Sequence, residues 1–581
     1  MLIDKLEEIA KNRGFFWPSQ EIYGGVSGFY DYGPLGTLMK KHIEGMILDY
    51  YVMEEGCLAI ESPVLTTIDP WVASGHVENF ADKLTECGKC GEAYRADHLV
   101  EEHTMIRLLD IIKDSGISKE VETSVAHGPD FTSSVSLCLK KRTKGSKESV
   151  LNALKSKCTV TNDSKLSYHG VKIDIRDVSL VAGSEKVDIA VDGSLLFNDS
   201  DINEIIHKNG IKCPKCKGAL DKVYDYNLMF KTFIGPGKAK IEGALRPETA
   251  QTTYMPFRRL YEIARRKMPF GAIQIGRSFR NEISPRKAVI RQREFSQAEI
   301  QFFTPPGIVE WKGFDNVASA EALVLPKGAA KEKKMSMSRL VSQLHVKQSV
   351  AYFLARSLQL YKKMGMDMGK LRLRQHEDGE RSFYSSDTWD VEFLSEKYGI
   401  VELVGVADRS DYDLKRHQQV SKQSMEITHE GAKFVPHVIE TAYGIDRALI
   451  CVMESVMHEE KERLFFSFPA SVAPYQVAVF PLVRKDGLPE KAREIFAALR
   501  KHFYCAYDET GSIGRMYYRQ DEAGTPFCIT VDYDTMKNDT VTLRDRDTQK
   551  QVIIKIGELD NAIARLADGE SIEKVGVLLQ R

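Results

Sequence analysis

Residues 272–303 read AIQIGRSFRNEISPRKAVIRQREFSQAEIQFF. Two runs of alternating side chains flank a turn-rich middle at 283–287. Because alternate side chains of a strand share a face, Arg280 and Glu282 fall on one face of the first run. The second run carries five polar or aromatic residues on one face: Arg291, Arg293, Phe295, Gln297 and Glu299. The pattern predicts an antiparallel hairpin with one apolar face and one charged face.

The charged face of this hairpin is rich in cations. From Gly276 to Gln301 the segment holds six basic residues (Arg277, Arg280, Arg286, Lys287, Arg291, Arg293) against three glutamates (Glu282, Glu294, Glu299). Guanidinium groups bind phosphate and carboxylate in bidentate fashion, and the ring of Phe295 offers a surface on which a base can stack. The face therefore favours binding of a nucleoside triphosphate. The alternative is a solvated sheet face with charge pairs.

Two segments of this hairpin, Phe279-Arg280-Asn281-Glu282 and Arg291-Gln292-Arg293-Glu294-Phe295, resemble motif 2 of class II aminoacyl-tRNA synthetases. Residues 245–251 (LRPETAQ) and 295–300 (FSQAEI) resemble the dimeric glycyl branch of that family. The resemblance implies an α/β multidomain fold. Its catalytic core is an antiparallel sheet with helices and insertions, and a C-terminal α/β anticodon-binding domain with a mainly parallel sheet follows.

Composition describes an ordinary globular chain. Of 581 residues, 43% are hydrophobic and 28% are charged, which provides core material for several domains. A net charge of −1 means that any RNA contact must be local. No apolar run reaches membrane-spanning length, and the N-terminus is charged rather than a signal peptide. Together with ten cysteines, four of them in Cys-x-x-Cys pairs, this predicts a cytoplasmic protein that contains a metal rather than disulfides.

Four regions are expected along the chain. Residues 1–98 form the first part of the catalytic core, 99–210 an insertion domain, 211–471 the second part of the core, and 472–581 the anticodon-binding domain. Within the core, about 310–370 is expected to be a helical insertion of unknown role.

The N-terminal region predicts an amphipathic helix over 1–22, a glycine-rich stretch at 24–36, a helix over 38–55 and a strand over 57–60. The last three resemble motif 1 of the glycyl branch. In that family motif 1 forms the subunit interface, so the resemblance implies a homodimer. From the residues alone this is simply a buried helix and strand.

Two cysteine pairs have the spacing of zinc knuckles. Cys87 and Cys90, and then Cys213 and Cys216, are each separated by two residues, with glycines close by. A four-cysteine Zn²⁺ site is the favoured interpretation, and unrelated pairs or a redox Cys-x-x-Cys are the alternatives. Between Cys90 and Cys213 lie 213 − 90 − 1 = 122 residues, so the insertion must return the chain to its starting point.

A basic run stands out within the insertion: Lys140, Lys141, Arg142, Lys144, Lys147, Lys155 and Lys157. Such a run is either a solvated face or a phosphate-contacting surface for the tRNA acceptor stem. The residues alone do not choose between the two.

Residues 401–409 (VELVGVADR) and 436–447 (PHVIETAYGIDR) complete the predicted catalytic body. The second segment resembles motif 3, a short strand that turns into a helix with Arg447 in its first turn. A buried strand rarely carries a glutamate without a partner. Glu402 is therefore expected to face Mg²⁺ and ATP, with a salt bridge to an arginine as the alternative.

The resemblance implies a role for each matching side chain. Arg280, Glu402 and Arg447 are the expected catalytic residues. Phe295 and Arg447 sandwich the adenine, Glu282 accepts from its amino group, and Arg291 holds the γ-phosphate. The full ATP-binding set is Arg280, Asn281, Glu282, Arg291, Gln292, Phe295, Glu402, Leu403 and Arg447. The glycine-binding set is Arg95, Glu248, Glu299, Glu440, Thr441 and Ala442. Glu402, with Glu440, is the expected Mg²⁺ ligand.

One departure from the family stands in motif 3. The family usually has Ser at the position of Ala442 and often proline at the position of Thr441. The Ser hydroxyl helps to hold the amino group of the substrate. Here either Thr441 replaces that contact, or the carboxylates suffice.

The implied function is activation of glycine with ATP to glycyl-adenylate, followed by transfer of glycine to the 3′ end of tRNA(Gly). One alternative is a synthetase-like accessory protein without catalysis, which should have lost the motif residues that stand here. The other is a class II enzyme for another amino acid, which the segments at 31–34, 246–249 and 438–440 disfavour.

Overall fold

The computed structural model describes the chain apart from residues 1, 115–120, 128–131, 140–153, 155–157, 163–164, 169–170, 182–183, 193–198, 284, 286–287, 330, 378–384, 462 and 580–581. Every lysine and the arginine of the basic run at 140–157 lie outside the described residues, as do Arg286 and Lys287. Among the helices of the described chain, none combines the length and the apolar character needed to cross a bilayer.

Nine strands of the described chain form the central sheet. In spatial order they are Lys333–Ser336, Glu321–Leu325, Leu371–Gln375, Asp387–Ser395, Gly399–Ser410, His437–Gly444, Glu294–Thr304, Phe270–Phe279 and Leu58–Ile60. Neighbouring strands run antiparallel except at two places. Leu58–Ile60 is parallel to Phe270–Phe279, and Glu321–Leu325 is parallel to Leu371–Gln375. The antiparallel core sheet expected from the resemblance is therefore present.

The two faces of this sheet have different neighbours. Along strand Glu294–Thr304, the even residues Ala298, Ile300 and Phe302 enter the large core formed with helices Pro34–Asp49, Gln348–Lys363 and Ile445–Ser455. The opposite face packs near its far end against helices Ala250–Tyr254, Phe257–Ile263 and Tyr412–Ser421. The odd residues of the strand share that second face. They are therefore available to line a site.

The N-terminal helix is shorter than predicted. It covers Leu6–Arg13 because Gly14 follows in the left-handed conformation, with φ +82°, which ends the helix. Strands Phe16–Pro18 and Tyr30–Tyr32 then pair antiparallel. Helix Pro34–Asp49 begins with proline at its first position and continues as a π-turn over Tyr50–Glu54. A Cβ at Gly36 would overlap the carbonyl of Phe15, so this close approach requires glycine.

Small sheets surround the catalytic body. One contains Tyr224–Asn227, Ala81–Glu86 and Ala93–Arg95, and another contains Lys231–Ile234, Ile241–Leu245 and Leu65–Thr67. Helix Ala96–Asp114 leads into the insertion, and helix Asp199–Lys208 leads out of it. Between them lies an antiparallel sheet in the order Val121–His127, Thr132–Leu139, Ser184–Asp192, Val171–Val181, Lys165–Tyr168 and Thr159–Asn162.

The segment at about 310–370 is not purely helical. Helices Met337–Leu344 and Gln348–Lys363 are present, but strands Glu321–Leu325 and Lys333–Ser336 extend one edge of the central sheet. Buried residues of Gln348–Lys363 belong to the main core. The segment therefore contributes to the catalytic body itself.

The C-terminal unit is an α/β sandwich whose strands run in the order Cys505–Tyr507, Val477–Pro481, Phe527–Val531, Thr540–Asp545, Gln551–Lys555 and Val577–Leu578. Helices Leu488–Leu499, Ile513–Ala523 and Leu559–Ala567 pack on it. Only the first three strands are mutually parallel, and the other pairings are antiparallel. The expected mainly parallel sheet is therefore a mixed sheet, because a short connection without a full crossover helix joins Phe527–Val531 to Thr540–Asp545.

Candidate active site

A cavity of about 150 Å³ lies where the two hairpin strands end. Strands Phe270–Phe279 and Glu294–Thr304 pair antiparallel as predicted, but Arg280, Glu282 and Arg291 stand just beyond them, in the connecting loop. Most of the predicted ATP-binding residues line the cavity: Arg280, Glu282, Arg291, Gln292, Phe295, Glu402, Leu403 and Arg447. Gln297, Glu299 and Ala442 line it as well. The cavity therefore joins the two predicted substrate sites.

Arg280 is held between two aromatic rings. Its guanidinium carbon lies 5.3 Å from the ring centre of Phe80 and 5.4 Å from that of Phe295. Its Nε donates to the carbonyl of Pro247 at 3.2 Å. Cation–π contacts and one hydrogen bond thus fix the orientation of a cation in the cavity wall.

At the loop, Glu282 and Arg291 face each other. Arg291 Nε lies 3.1 Å from Glu282 Oε2. Arg293, predicted on the same face, turns away, and its guanidinium donates to the backbone carbonyls of Glu282 and Ser27. Asn281 also turns away: its side-chain amide donates to the hydroxyl of Tyr226, outside the cavity lining. The Asn281 side chain therefore points away from the cavity, because the loop no longer follows strand alternation there. Binding of ATP by Asn281 stays a prediction.

Arg447 lies in the first turn of helix Ile445–Ser455, as predicted. Its Nη1 donates to the carbonyl of Glu402 at 2.9 Å and lies 3.4 Å from Glu402 Oε2. Its Nε donates to the carbonyl of Ile290 at 3.3 Å. The salt bridge considered as the alternative role of Glu402 is thus present, yet both side chains still line the cavity.

Glu248, Glu299 and Glu440 form a buried carboxylate cluster, of which only Glu299 lines the cavity. Glu248 is bound by Gln251 Nε2 at 2.9 Å and lies 3.4 Å from His76 Nε2. Burial favours its neutral form, but His76 and Arg409 outweigh this and hold the pKa of Glu248 well below its usual range. Glu248 is therefore the ionised member of the cluster.

The other two carboxylates have raised pKa values. Burial, with the charges of Glu440 and Glu248, raises the pKa of Glu299 to about 8. Burial also raises the pKa of Glu440, although Arg409 opposes the shift. Three carboxylates close together in a buried site cannot all ionise without cations nearby.

Cations in this cluster are scarce within the described residues. Arg409 donates to both oxygens of Asp413, at 2.7 and 2.8 Å, and to Glu440 at 3.1 Å. Among the described contacts, Glu299 receives a hydrogen bond from Thr249 Oγ1 at 2.7 Å and has no cationic partner. Arg409 thus pairs with both Asp413 and Glu440, whereas Glu299 faces the cavity without an ion pair.

Strand alternation separates the two residues that depart from the family. Ala442 lies directly opposite Glu299 on the neighbouring strand and lines the cavity. Thr441 is fully buried and shares the other face with Tyr443, whose hydroxyl is bonded to those of Tyr51 and Ser357. The Thr441 side chain therefore points away from the cavity, because adjacent strand residues point to opposite faces. Its contact with the substrate stays a prediction.

Arg95 does not line the cavity either. It is buried, and its guanidinium pairs with Asp82 at 3.0 Å and Asp97 at 2.6 Å. The guanidinium of Arg95 is therefore already paired with two carboxylates. Its predicted contact with the carboxylate of the substrate has no support in this geometry.

The four predicted metal ligands, Cys87, Cys90, Cys213 and Cys216, come together, with all four sulfurs within 4.8 Å of one another. The sulfurs of Cys87 and Cys216 are 3.4 Å apart and those of Cys90 and Cys213 are 3.7 Å apart. Tetrahedral Zn²⁺ with Zn–S bonds of about 2.3 Å places sulfurs about 3.8 Å apart. A Cβ at Gly218 would lie 3.0 Å from Cys87 Sγ, so the glycine leaves room for the thiolates. The donor set and spacing fit Zn²⁺.

Sequence reasoning missed several residues that organise this site: His76, Arg409, Asp413 and Asp446. Arg409 and Asp413 are four residues apart and fully buried, a spacing that allows a salt bridge as the strand turns into the next helix. This buried ion pair could have been predicted from the sequence of residues 401–413. The contacts of Asp446 could not have been predicted, because its partners are distant in sequence.

The comparisons with known proteins agree with this geometry. Residues 238–456 match the model of the tRNA synthetase class II core domain (G, H, P, S and T), and residues 476–566 match the anticodon binding domain. The fold and the cavity thus define a class II aminoacyl-tRNA synthetase, and the predicted fold class is confirmed.

Curated relatives are similar over the whole chain. The glycine–tRNA ligase of Methanocaldococcus jannaschii is 34% identical over 650 aligned residues, covering 96% of this chain and 98% of that protein. The glycine–tRNA ligase of Thermococcus sibiricus is 34% identical over 657 aligned residues, covering 98% of this chain and all of that protein. The chain belongs to the glycine–tRNA ligase family.

Proposed function

We propose that this chain activates glycine with ATP and transfers the glycyl group to the 3′ end of tRNA(Gly). The observation that carries the proposal is one cavity with two unlike ends. Arginines and an aromatic ring stand at one end, and Glu299, the cavity-lining member of a cation-poor carboxylate cluster, stands at the other. ATP fits the first end and the ammonium of glycine fits the second.

At the carboxylate end, the ammonium of glycine supplies the missing cation. Glu299 has no cationic partner in the described chain, and Glu248 is ionised. Glu440, held by Arg409 and by Gln301 Nε2 at 2.8 Å, closes the cluster. A missing methylene alone provides only about 1–3 kcal/mol of discrimination, so the bulk of these side chains must exclude a larger amino acid by steric contact.

At the arginine end, the short distance between Glu282 and Arg291 bears on the shape of ATP. If Glu282 accepts from the adenine amino group and Arg291 holds the γ-phosphate, both ends of ATP lie within a few ångströms of this ion pair. ATP therefore binds folded back on itself. Phe295 and Arg447 cover the two faces of the adenine.

Two steps follow from this arrangement. A carboxylate oxygen of glycine attacks the α-phosphorus, and the bond to the bridging oxygen breaks and releases pyrophosphate. The terminal hydroxyl of tRNA then attacks the carbonyl carbon, and AMP leaves. Arg280, fixed by two rings, stabilises charge on the α-phosphate, so catalysis is positioning and charge stabilisation.

Mg²⁺ fits beside Glu402, whose carboxylate is one-third exposed in the cavity wall. Bound there, it would neutralise phosphate charge. Glu440 is a poorer ligand than expected because Arg409, Gln301 and Tyr254 already bind it. Zn²⁺ held by Cys87, Cys90, Cys213 and Cys216 has a structural role, since it joins the two ends of the insertion.

The remaining parts of the proposal concern the whole protein. The C-terminal unit contacts the anticodon of tRNA(Gly). The four regions of the chain are the two parts of the catalytic core (1–98 and 211–471), the insertion domain (99–210) and the anticodon-binding domain (472–581). The protein works in the cytoplasm as a homodimer whose interface includes helix Pro34–Asp49. Light scattering should give twice the mass of 65.6 kDa, and a value equal to one chain would overturn the dimer.

Attachment of radiolabelled glycine to purified tRNA tests the proposed reaction directly. The expected result is acid-precipitable label that depends on ATP and on tRNA(Gly). A folded, zinc-loaded protein that binds tRNA but attaches no glycine would instead support the accessory-protein alternative.

A further inference from the structure

Asp446 is a buried carboxylate in the cavity wall to which the reaction described above assigns no role. It is 2% exposed and stands immediately before Arg447. Its Oδ2 accepts a hydrogen bond from the backbone N–H of Ser296 at 2.6 Å. Ser296 in turn follows Phe295. The carboxylate of Asp446 therefore links the backbone next to Phe295 to the backbone next to Arg447, and these are the two residues predicted to cover the adenine.

The second oxygen of Asp446 reaches the N-terminal part of the chain. Oδ1 accepts from the Tyr32 hydroxyl at 2.5 Å and from Lys40 Nζ. Lys40 is itself 5% exposed and lies 4.2 Å from the ring centre of Tyr32. Tyr32 Oη also accepts from Gln292 Nε2 at 3.3 Å. Asp446 thus accepts from three donors: Tyr32 and Lys40 in the N-terminal part of the chain, and Ser296 in the hairpin.

We propose that Asp446 is a positioning residue for the nucleotide, which sets the separation between Phe295 and Arg447 through its bonds to Ser296, Tyr32 and Lys40. The proposal rests on the proposed function for the identity of the nucleotide. A charge-assisted hydrogen bond to a backbone N–H is short and directional, so it holds the two walls at one spacing. The other links between the two walls are strand pairing, core packing and the bond from Arg447 Nε to the carbonyl of Ile290.

Asp446→Asn tests this role because it keeps the shape and removes the charge. The expected result is a rise of about tenfold in the Kd for ATP, the size expected when one hydrogen bond to a charged group is lost. The Kd for adenosine should rise by the same factor, since the adenine faces are what the contact positions. The KM for glycine should stay within about twofold of the unmodified value.

Glu454→Gln is a matched control. Glu454 lies on the same helix, two turns further on, and is also buried. It accepts from a backbone N–H (Glu396, 2.9 Å), a hydroxyl (Ser395, 2.5 Å) and a lysine (Lys370, 3.3 Å), but it does not line the cavity. The Glu454→Gln protein should lose stability as the Asp446→Asn protein does, but its affinity for ATP should be unchanged. Equal changes in ATP affinity in both variants would reduce Asp446 to a structural residue and overturn the proposal.

Tyr32→Phe removes one donor and is the milder variant if Asp446→Asn does not fold. It should weaken ATP and adenosine binding in the same direction but by less, and an unchanged Kd for both ligands would contradict the proposal. Calorimetric binding of ATP and adenosine needs no turnover, so it reports on Asp446 even if glycine is not the amino acid used. Failure of the proposed function would instead appear as absent glycine activation in the unmodified protein with nucleotide binding intact.

Discussion

Glu299 is the side chain whose environment most directly indicates its ligand. It is buried, faces the cavity and has no cationic partner among the described residues. Glu299→Gln should raise the KM for glycine by about tenfold or more, because a charge-assisted hydrogen bond is worth about 1.5–3 kcal/mol. The KM for ATP should change little. Glycine-dependent ATP–pyrophosphate exchange measures both constants.

Glu294→Gln provides the control for this substitution. Glu294 begins the same strand but lies at its exposed end, where it pairs with Arg277 at 2.9 Å. An exposed pair of this kind contributes at most about 1 kcal/mol to stability, so the KM for glycine should not move. A KM for glycine that is unchanged in Glu299→Gln would remove Glu299 from the site.

The raised pKa of Glu299 predicts a pH dependence. With a pKa of about 8, the carboxyl is largely protonated at pH 6 and ionises as the pH rises. The ammonium of glycine binds the ionised form, so the KM for glycine should fall by up to about tenfold per pH unit between pH 6 and 8. Glu299→Gln should flatten this profile. A steep profile that survives in the variant would assign the ionisation to another group.

The same shift has a defined sign for stability. The folded-state pKa of about 8 lies above the unfolded value of about 4.3. The contribution of Glu299 to the free energy of unfolding is therefore fully present below pH 4.3 and is lost as the pH rises towards 8. Urea unfolding across this range should show a smaller decline in Glu299→Gln than in the unmodified protein.

Single side chains also show the limits of the sequence. Strand alternation placed Phe295 and Glu299 on one face, and the resemblance placed Ala442 at the substrate; all three line the cavity. Asn281 lies in the loop and Thr441 on the opposite face of its strand, so neither side chain points into the cavity. The direction of a side chain in a strand was predictable from the two-residue alternation of the strand. The direction of a side chain in the loop depends on tertiary contacts.

Among the elements, the cysteine knuckles make the clearest prediction. The purified protein should contain about one zinc ion per chain, and Cys213→Ser should lose it together with protease resistance around 81–95 and 211–227. Elemental analysis and limited proteolysis measure these two effects. Cys505→Ser, a thiol in the C-terminal sheet, should keep the zinc. Full zinc content in Cys213→Ser would show that the ion lies elsewhere.

Element boundaries were predicted best where periodicity and turn residues agree. Strand Leu58–Ile60 lies within the predicted range 57–60, whereas the N-terminal helix predicted over 1–22 covers only Leu6–Arg13. Strand direction was not predictable, because it depends on how each connection crosses the sheet. The short connection after Phe527–Val531 returns the chain antiparallel, which periodicity does not encode.

For the whole molecule, the sequence predicted the catalytic core and the C-terminal unit from motifs and from alternating α and β elements. The paired cysteines predicted that the insertion returns the chain to its starting point, but not which strands pair there. Strand Tyr224–Asn227 pairs with Ala81–Glu86, and Cys213 lies beside Cys90, although 122 residues separate the two cysteines. Long-range pairing of this kind follows from packing, which local sequence patterns do not report.

The most direct test is ATP–pyrophosphate exchange without tRNA, with glycine compared against alanine, serine and proline in folded, zinc-loaded protein. We expect exchange with glycine alone. That result would also show that the methyl of Ala442, opposite Glu299, replaces the usual hydroxyl without loss of activation. Exchange with alanine or serine at a rate similar to that with glycine, or no exchange with any of the four, would contradict a glycine site built from Glu248, Glu299 and Glu440.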